Sequence, residues 1–454
     1  MSSHIEYKEE NSVLKSEEIY NLIKSSIHLF NEEDDFYFKP KSILDWYYEW
    51  DFKEYNPNIY SHGFHQYPAK FIPQLARKIL RVFTNHKSII LDNFMGSGTT
   101  LIESMLLNRK KAIGIEYNPF ACFIAKVKTT PINPNLLLKT FNEIKDNFNK
   151  NIEYKIHSFF NIDFWFKEQQ KNELSKLKFI INQINNNEIK NFFFICMSEV
   201  VRRVSLTNHN GFKLHRDKQK LLDNFNPSVF WHFENVFNRN YMLMADFFNQ
   251  TKNVTTEINI IQGDSRIRQS IPENSIDFIL TSPPYGDSRT TVAYGQFSRL
   301  SWQWISGDNN IYKLDDLLLG GQIIKNKNIN EILEYSPTLN AQYKEISLKD
   351  VTRANQVLTF YKDFYETFIQ SHFYLKKNGY YVLVTGNRTV KGIFLRTDKI
   401  ISELGKKLGF KTEKILYRKI INKRMPSKNS PTNKKGELSN TMHTENIIFL
   451  KKIY

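Results

Sequence analysis

Ser88-Ile89-Ile90-Leu91-Asp92-Asn93-Phe94-Met95-Gly96-Ser97-Gly98-Thr99-Thr100 is the stretch on which the fold turns. Its apolar opening, Ser88 to Asp92, predicts a buried strand, its glycines a tight turn, and Leu101 to Leu107 a helix. A second apolar run, Ala112-Ile113-Gly114-Ile115-Glu116, predicts the next strand and completes a βαβ unit. Glycine suits such a turn because it lacks a Cβ, and it lets a ligand come up against the backbone. Glu116 falls at a strand end, where a carboxylate can accept hydrogen bonds from a ribose diol. A phosphate-binding P-loop would need Gly-Lys-Ser/Thr, and Gly98 is followed by Thr99. A nicotinamide-binding turn would carry a third glycine, and position 101 is Leu.

Working outward, Tyr60-Ser61-His62-Gly63-Phe64-His65-Gln66-Tyr67-Pro68-Ala69-Lys70-Phe71-Ile72-Pro73 precedes an amphipathic helix predicted for Gln74 to Phe83. Downstream, Ile258 to Ser265 predicts a strand ending in Gly263-Asp264, where the Asp264 carboxylate is free to meet a ligand or to cap a helix. The apolar run Ile276 to Leu280 predicts a buried strand, with Asp277 structural. It ends in Leu280-Thr281-Ser282-Pro283-Pro284-Tyr285, because two prolines fix φ and remove donors. Taken alone this is a stiff turn. At the carboxyl end of a strand in an open α/β sheet, it also sits where such sheets bind ligands.

The form Phe94-x-Gly96-Ser97-Gly98-Thr99-Thr100, Glu116 followed by Asn118-Pro119, and Ser282-Pro283-Pro284-Tyr285 together resemble the DNA amino-methyltransferases, which methylate the exocyclic nitrogen of cytosine or adenine. The resemblance covers about 60 to 130 and 256 to 450 and implies an α/β fold, a seven-stranded Rossmann-like methyltransferase sheet with a mostly helical insertion. It implies S-adenosyl-L-methionine as cofactor, held by Phe71, Asp92, Phe94, Gly96, Ser97, Gly98, Thr99, Thr100, Glu116, Asn118 and Asp264. It makes Ser282, Pro283, Pro284 and Tyr285 the catalytic residues. Ser282 Oγ and the Pro283 carbonyl would accept the amino hydrogens, and Tyr285 would stack on the base. No histidine base and no metal are expected. The Ser form of the loop looks more like the cytosine-N4 branch, the Asp or Asn form like the adenine-N6 branch. Adenine N6, RNA bases and a non-catalytic DNA-binding specificity protein stand as alternatives.

Composition bears on the partner. Lys and Arg number 63 against 47 Asp and Glu, a formal charge of +16 that favours a polyanion. Double-stranded DNA is the expected partner, with a cognate restriction endonuclease as the other half of a restriction–modification system. Arg202, Arg203, Arg289, Arg299, Lys423 and Arg424 are the candidate DNA contacts. The chain divides into an N-terminal extension (1–40), a catalytic domain (41–130 and 256–454) and a helical insertion (131–255) that is a candidate for DNA recognition. Late in the chain, Gln356 to Leu375 predicts a helix, Gly379 to Arg388 a strand with a Gly turn, Tyr417 to Pro426 an approach to a loop, and Asn446 to Leu450 a closing strand. Gly286 to Arg299 mixes hydroxyls, aromatics and two arginines, suited to phosphate and base contacts beside the loop, and the residues after it to about 350 show no clear periodicity. Cys122 and Cys196 lie in apolar runs without metal or disulfide spacing, no apolar run is long enough for a membrane span, and the N-terminus is too charged for a signal peptide. A cytoplasmic protein is expected.

Overall fold

The strand β1 (Ile89–Asp92) buries both of its faces: Ile90 points into one apolar cluster and Leu91 into another, and both are fully buried. A strand so buried belongs inside a sheet covered on both sides. The computed structural model, which describes residues 50–52, 55–208, 213–222, 224–287, 290–322, 331–420, 428–429, 439–440 and 444–454, places it there. With β2 (Lys111–Glu116), β3 (Glu257–Gln262), β4 (Ile276–Thr281), β5 (Leu375–Thr385), β8 (Phe410–Lys419) and β11 (Thr444–Lys452) it forms a seven-stranded sheet in the order β3-β2-β1-β4-β5-β11-β8. Neighbours from β3 to β5 run parallel, and β11 runs antiparallel to both β5 and β8. Outside it, β6 (Arg388–Val390) pairs with β7 (Ile393–Leu395), and β9 (Lys428–Asn429) with β10 (Ser439–Asn440).

The period-two alternation of strands decides which helix covers which face. Ile90, Phe278, Leu280, Val382, Val384, Ile447 and Phe449 face α1 (Pro73–Phe83) through its Leu75, Ile79 and Leu80. Leu91, Ile279, Tyr381, Leu383, Ile448 and Leu450 face the other way, towards α10 (Val351–Tyr374) and α11 (Thr397–Lys407). Along β1 and β2 the sheet also carries α2 (Thr99–Leu106) and α3 (Pro119–Lys128). Between α3 and β3 the chain is helical, in α4 (Pro134–Asn149), α5 (Glu168–Asn182), α6 (Asn187–Val204) and α7 (Val229–Gln250). These share one aromatic-rich core with α3 and with α8 (Tyr294–Ser306), in which Phe141 stacks on Phe237 at 3.9 Å between centroids.

Several local outcomes differ from the expectations. Residues 294–306 and 337–347 form helices, α8 and α9 (Pro337–Ser347), in the region that lacks visible periodicity. The late helix begins at Val351, where the Asp350 side chain caps the Arg353 N–H, rather than at Gln356. β5 begins at Leu375, upstream of Gly379, and the pairing with β4 shifts register between Ile276 and Phe278. β8 extends over Phe410–Lys419, ahead of the expected loop; as an edge strand it interleaves Lys and Glu with its apolar residues, which hides its alternation. The expected N-terminal extension, 1–40, lies outside the described residues.

A buried ion cluster holds the segment before α1 onto the sheet. Glu103 of α2 is fully buried, its Oε1 2.7 Å from Nε2 of His62, and its Oε2 accepts from Nε of Arg77 on α1 at 2.5 Å. Nearby, Nζ of Lys128 and of Lys70 both donate to the His62 carbonyl. Removing the one carboxylate takes away the acceptor that His62 and Arg77 share in a dry site. Glu103→Ala is expected to lower stability by about 3–5 kcal/mol, read from the urea unfolding midpoint.

Candidate active site

The strand order reverses between β1 and β4, so the loops leaving their carboxyl ends diverge and open a crevice between them. That crevice is an open pocket of about 900 Å³, counting the open space at its mouth. The segments after β1, β2, β3 and β4 all line it: Asn93 to Ser97, Glu116 and Tyr117, Gly263 to Arg266, and Ser282 with Pro284. The segment Tyr67 to Phe71 and Tyr294 of α8 complete it, with Leu317 to Leu319 as an apolar wall.

The turn after β1 requires its glycines. Gly96 has φ +52° and Gly98 φ +88°, and a Cβ on Gly98 would stand 3.0 Å from the Cβ of Ala125 on α3. Gly98 opens α2 in the left-handed conformation. Glu116 fixes the turn from the neighbouring strand: Oε2 accepts from the Gly96 N–H at 2.9 Å and Oε1 from the Asn118 N–H at 2.8 Å. Burial, with the Asp92 carboxyl adding like charge, pushes the Glu116 acid up to about 7. Asn118 caps α3 by accepting from the Phe120 N–H, and its Nδ2 donates to the Tyr67 hydroxyl and to Ser298 on α8.

Asp92 joins the turn to the loop after β4. Its Oδ1 accepts from Thr281 Oγ1 at 2.6 Å and from the Phe94 N–H at 3.1 Å. Thr100 Oγ1 donates to the Leu280 carbonyl at 3.3 Å. Of the four loop residues, Ser282 and Pro284 face the pocket, whereas Pro283 is buried behind them and Tyr285 stands outside the lining. The Tyr285 hydroxyl is taken up by Glu445 on β11, donating to its Oε1 at 2.9 Å.

The structure brings Phe71, Asp92, Phe94, Gly96, Ser97, Thr99, Glu116 and Asp264 into this pocket; Gly98, Thr100 and Asn118 stand behind it as supports. Asp264 lines the pocket with its carboxylate already engaged by the Arg266 guanidinium, at 2.7 Å between Oδ2 and Nη2. Arg266 also reaches Asp363 at 3.0 Å and the Leu317 carbonyl at 2.9 Å, so it straps the apolar wall to the end of β3. Arg266 and Leu317 to Leu319 carried no recognisable pattern in the sequence; Tyr294 belongs to the Gly286 to Arg299 stretch expected beside the site, and Tyr67 to Lys70 to the quoted segment before α1.

Three of the six candidate DNA contacts lie among the described residues. Arg202 lies over the Phe297 ring at 4.4 Å, Arg203 pairs with Glu199 at 3.1 Å, and Arg299 lies over Tyr312 at 4.5 Å. Arg289, Lys423 and Arg424 lie outside the described residues. No helix among the described residues is long and apolar enough to cross a membrane, and both cysteines are buried and free.

Comparison with known proteins places this geometry. A family model for DNA methylases of the N6/N4 type matches residues 3–127. The chain is 41% identical over 419 residues to Type II methyltransferase M.MvaI of Kocuria varians, spanning 87% of this chain and 92% of that protein. This chain belongs to the DNA amino-methyltransferase family. A shorter match, 40% over 114 residues, reaches Type II methyltransferase M.MjaII of Methanocaldococcus jannaschii, covering 24% of this chain and 21% of that one. Among solved structures, an rRNA methyltransferase from Streptomyces viridochromogenes is similar at 10% identity over 86% of this chain and 88% of that one, with a TM-score of 0.30, too slight a likeness to argue from.

The cofactor of this DNA methyltransferase is S-adenosyl-L-methionine, and the pocket has the chemistry to hold it. Gly96 lines the pocket, and a Cβ there would already touch the Tyr67 ring, 3.6 Å away. The Glu116 carboxyl offers acceptors for a diol, and Phe94 and Leu319 offer apolar surface for a purine. Because the Glu116 carboxylate predominates only above about pH 7, cofactor affinity of the methyltransferase should tighten between about pH 6 and 8. Titration calorimetry across that range is expected to show this rise in wild type and a flat, weaker profile in Glu116→Gln.

Proposed function

We propose that this methyltransferase acts on the exocyclic N4 of a cytosine extruded from duplex DNA, as the protective half of a restriction–modification pair. The single observation behind the reading is that Ser282 and the Gly96 turn line one pocket. The Ser-Pro-Pro-Tyr form of the loop favours cytosine. The relatives' printed description as Type II methyltransferases favours a restriction–modification setting and, with it, a cognate endonuclease.

An aromatic amino group is a poor nucleophile, because its lone pair is delocalised into the ring. S-adenosyl-L-methionine, when bound, supplies an electrophilic methyl carbon on its sulfonium. The work left to the chain is to turn the amino lone pair towards that carbon and to stabilise the positive charge that develops on nitrogen. Ser282 Oγ accepts one amino hydrogen, favouring a pyramidal nitrogen, and loop carbonyl oxygen accepts the other. Extruding the base costs a few kcal/mol. Tyr294, on the pocket wall and stacked with Tyr67 at 5.9 Å, offers an aromatic face that returns roughly 1–3 kcal/mol. In this reading Tyr294 takes the stacking role expected of Tyr285. The helical block from α4 to α7, with Arg202 and Arg203 at its α6 end and Arg299 on α8, supplies backbone contacts, which position the duplex without reading it.

Digestion of enzyme-treated duplex DNA to nucleosides, with mass identification of the product, tests the assignment. N4-methylcytosine is expected; N6-methyladenine would move the enzyme to the sister branch, and methyl groups on RNA alone would overturn the DNA reading. Ser282→Ala is expected to lower kcat by about 10²–10³-fold while leaving cofactor affinity unchanged.

A further inference from the structure

One ion pair fastens the apolar wall of the pocket at both of its ends. Leu317 to Leu319 line the pocket where a one-turn helix, Leu314–Leu317, runs out. At the near end, Arg266 Nη2 donates to the Leu317 carbonyl at 2.9 Å; at the far end, the Gly320 N–H donates to Asp363 Oδ2 on α10 at 2.8 Å. Arg266 and Asp363 bond each other, with 3.0 Å between Nη1 and Oδ2. Arg266 is fixed in turn by Asp264, just past β3, whose carboxylate accepts from its Nε and Nη2 and from its backbone N–H. Gly320 has no slack: its φ is +67°, and a Cβ there would stand 3.0 Å from that of Phe360 on α10. The guanidinium therefore serves acceptors on three separate segments, which its planar fork can do and a single ammonium cannot. The Asp363 side chain is 7% exposed and that of Arg266 22%, so water competes little for these bonds.

We propose that Arg266 is a positioning residue for cofactor binding: with Asp363 it clamps the leucine wall, so that the apolar face stands ready before the cofactor arrives. A short loop of apolar side chains left to itself samples many arrangements, and ordering it on binding lowers affinity. The clamp moves that ordering into folding. It also gives Asp264 a part that needs no contact with the ligand, because its carboxylate anchors the guanidinium to the end of β3. Arg266 itself makes no bond to the reacting atoms, so its loss falls on the affinity for the cofactor and leaves the transfer step alone. The inference rests on this pocket being the one that takes the cofactor.

The test is calorimetric affinity of the full chain for S-adenosyl-L-methionine, with steady-state kinetics on duplex DNA, for Arg266→Ala, Arg266→Lys, Asp363→Ala, Asp363→Asn, Leu318→Ala and the double variant Arg266→Ala/Leu318→Ala. Arg266→Ala and Asp363→Ala are each expected to weaken cofactor binding roughly 10- to 100-fold, with kcat at saturating cofactor within about three-fold of wild type. Arg266→Lys keeps a positive charge between the two carboxylates but loses the fork, and should stay about 10-fold weak. Asp363→Asn, which keeps an oxygen acceptor for the Gly320 N–H, should restore affinity to within about three-fold. The double variant should bind no more weakly than the worse single one, because a wall already released has little left to lose. Wild-type affinity in Arg266→Ala, full rescue by Lys, multiplicative loss in the double variant, or a fall in kcat with affinity intact would each overturn the inference. If Arg266→Ala does not fold, as read from urea unfolding without cofactor, Arg266→Lys and Asp363→Asn decide by the same outcomes. Glu116→Gln is measured alongside: if it binds the cofactor as tightly as wild type, the reading of the pocket fails; if it is weakened while Arg266→Ala is not, only the clamp fails.

Discussion

A buried carboxylate sets the geometry on which the pocket depends. Asp92 closes β1, and by accepting from Thr281 at the end of β4 and from Phe94 in the turn, it ties the two diverging loops together. Burial alone would leave this acid protonated to well above its ordinary range, and it is pushed up to about 6; the hydrogen bonds it receives keep it from rising further. The neighbouring Glu116 does for β2 what Asp92 does for β4, anchoring Gly96 from the other side. Two acids thus brace the backbone of the turn, at Phe94 and at Gly96. That is why the turn can be both open to a ligand and rigid.

Much of this was legible in the sequence because the signals are local. Strand, glycine turn, helix and acidic strand end follow one another from Ser88 to Glu116, and each is dictated by residues within a few positions. The proline pair after β4 is equally local. What was not legible depends on contacts across the fold. Leu317 to Leu319 read as ordinary apolar residues, and only Arg266, reaching over from the end of β3, makes them a wall. Tyr285 looked like an aromatic plate, but the acceptor for its hydroxyl sits 160 positions later on β11. Asp264 looked like a free carboxylate until Arg266, two residues on, was found to occupy it. The edge strand β8 was hidden by the charges that keep such edges from pairing with other chains.

The helical block is not an appendage hung on the catalytic sheet. Phe120, Ile124 and Val127 of α3 and Leu300 and Trp304 of α8 lie in the same core as Phe192, Phe193 and Phe237. Asn118, at the head of α3, bonds Tyr67 on the pocket wall and Ser298 on α8 together. A tilt of the block would therefore be felt at both Tyr67 and Tyr294, which pack against each other across the pocket lining. Events at a surface well away from the pocket have a short, packed route into it.

The position of β11 has a consequence for how the protein is made. It is the latest-synthesised strand of the main sheet, yet it occupies a slot between β5 and β8, pairing along almost its whole length with each. While a ribosome is still holding residues 444–452, those two flanking strands face one another across a gap, each with an unpaired backbone edge. The outer edge of β5 and the whole of β8 stay unpaired until β11 enters between them, so the chain is open to pairing with other chains for as long as residues 444–452 are held back.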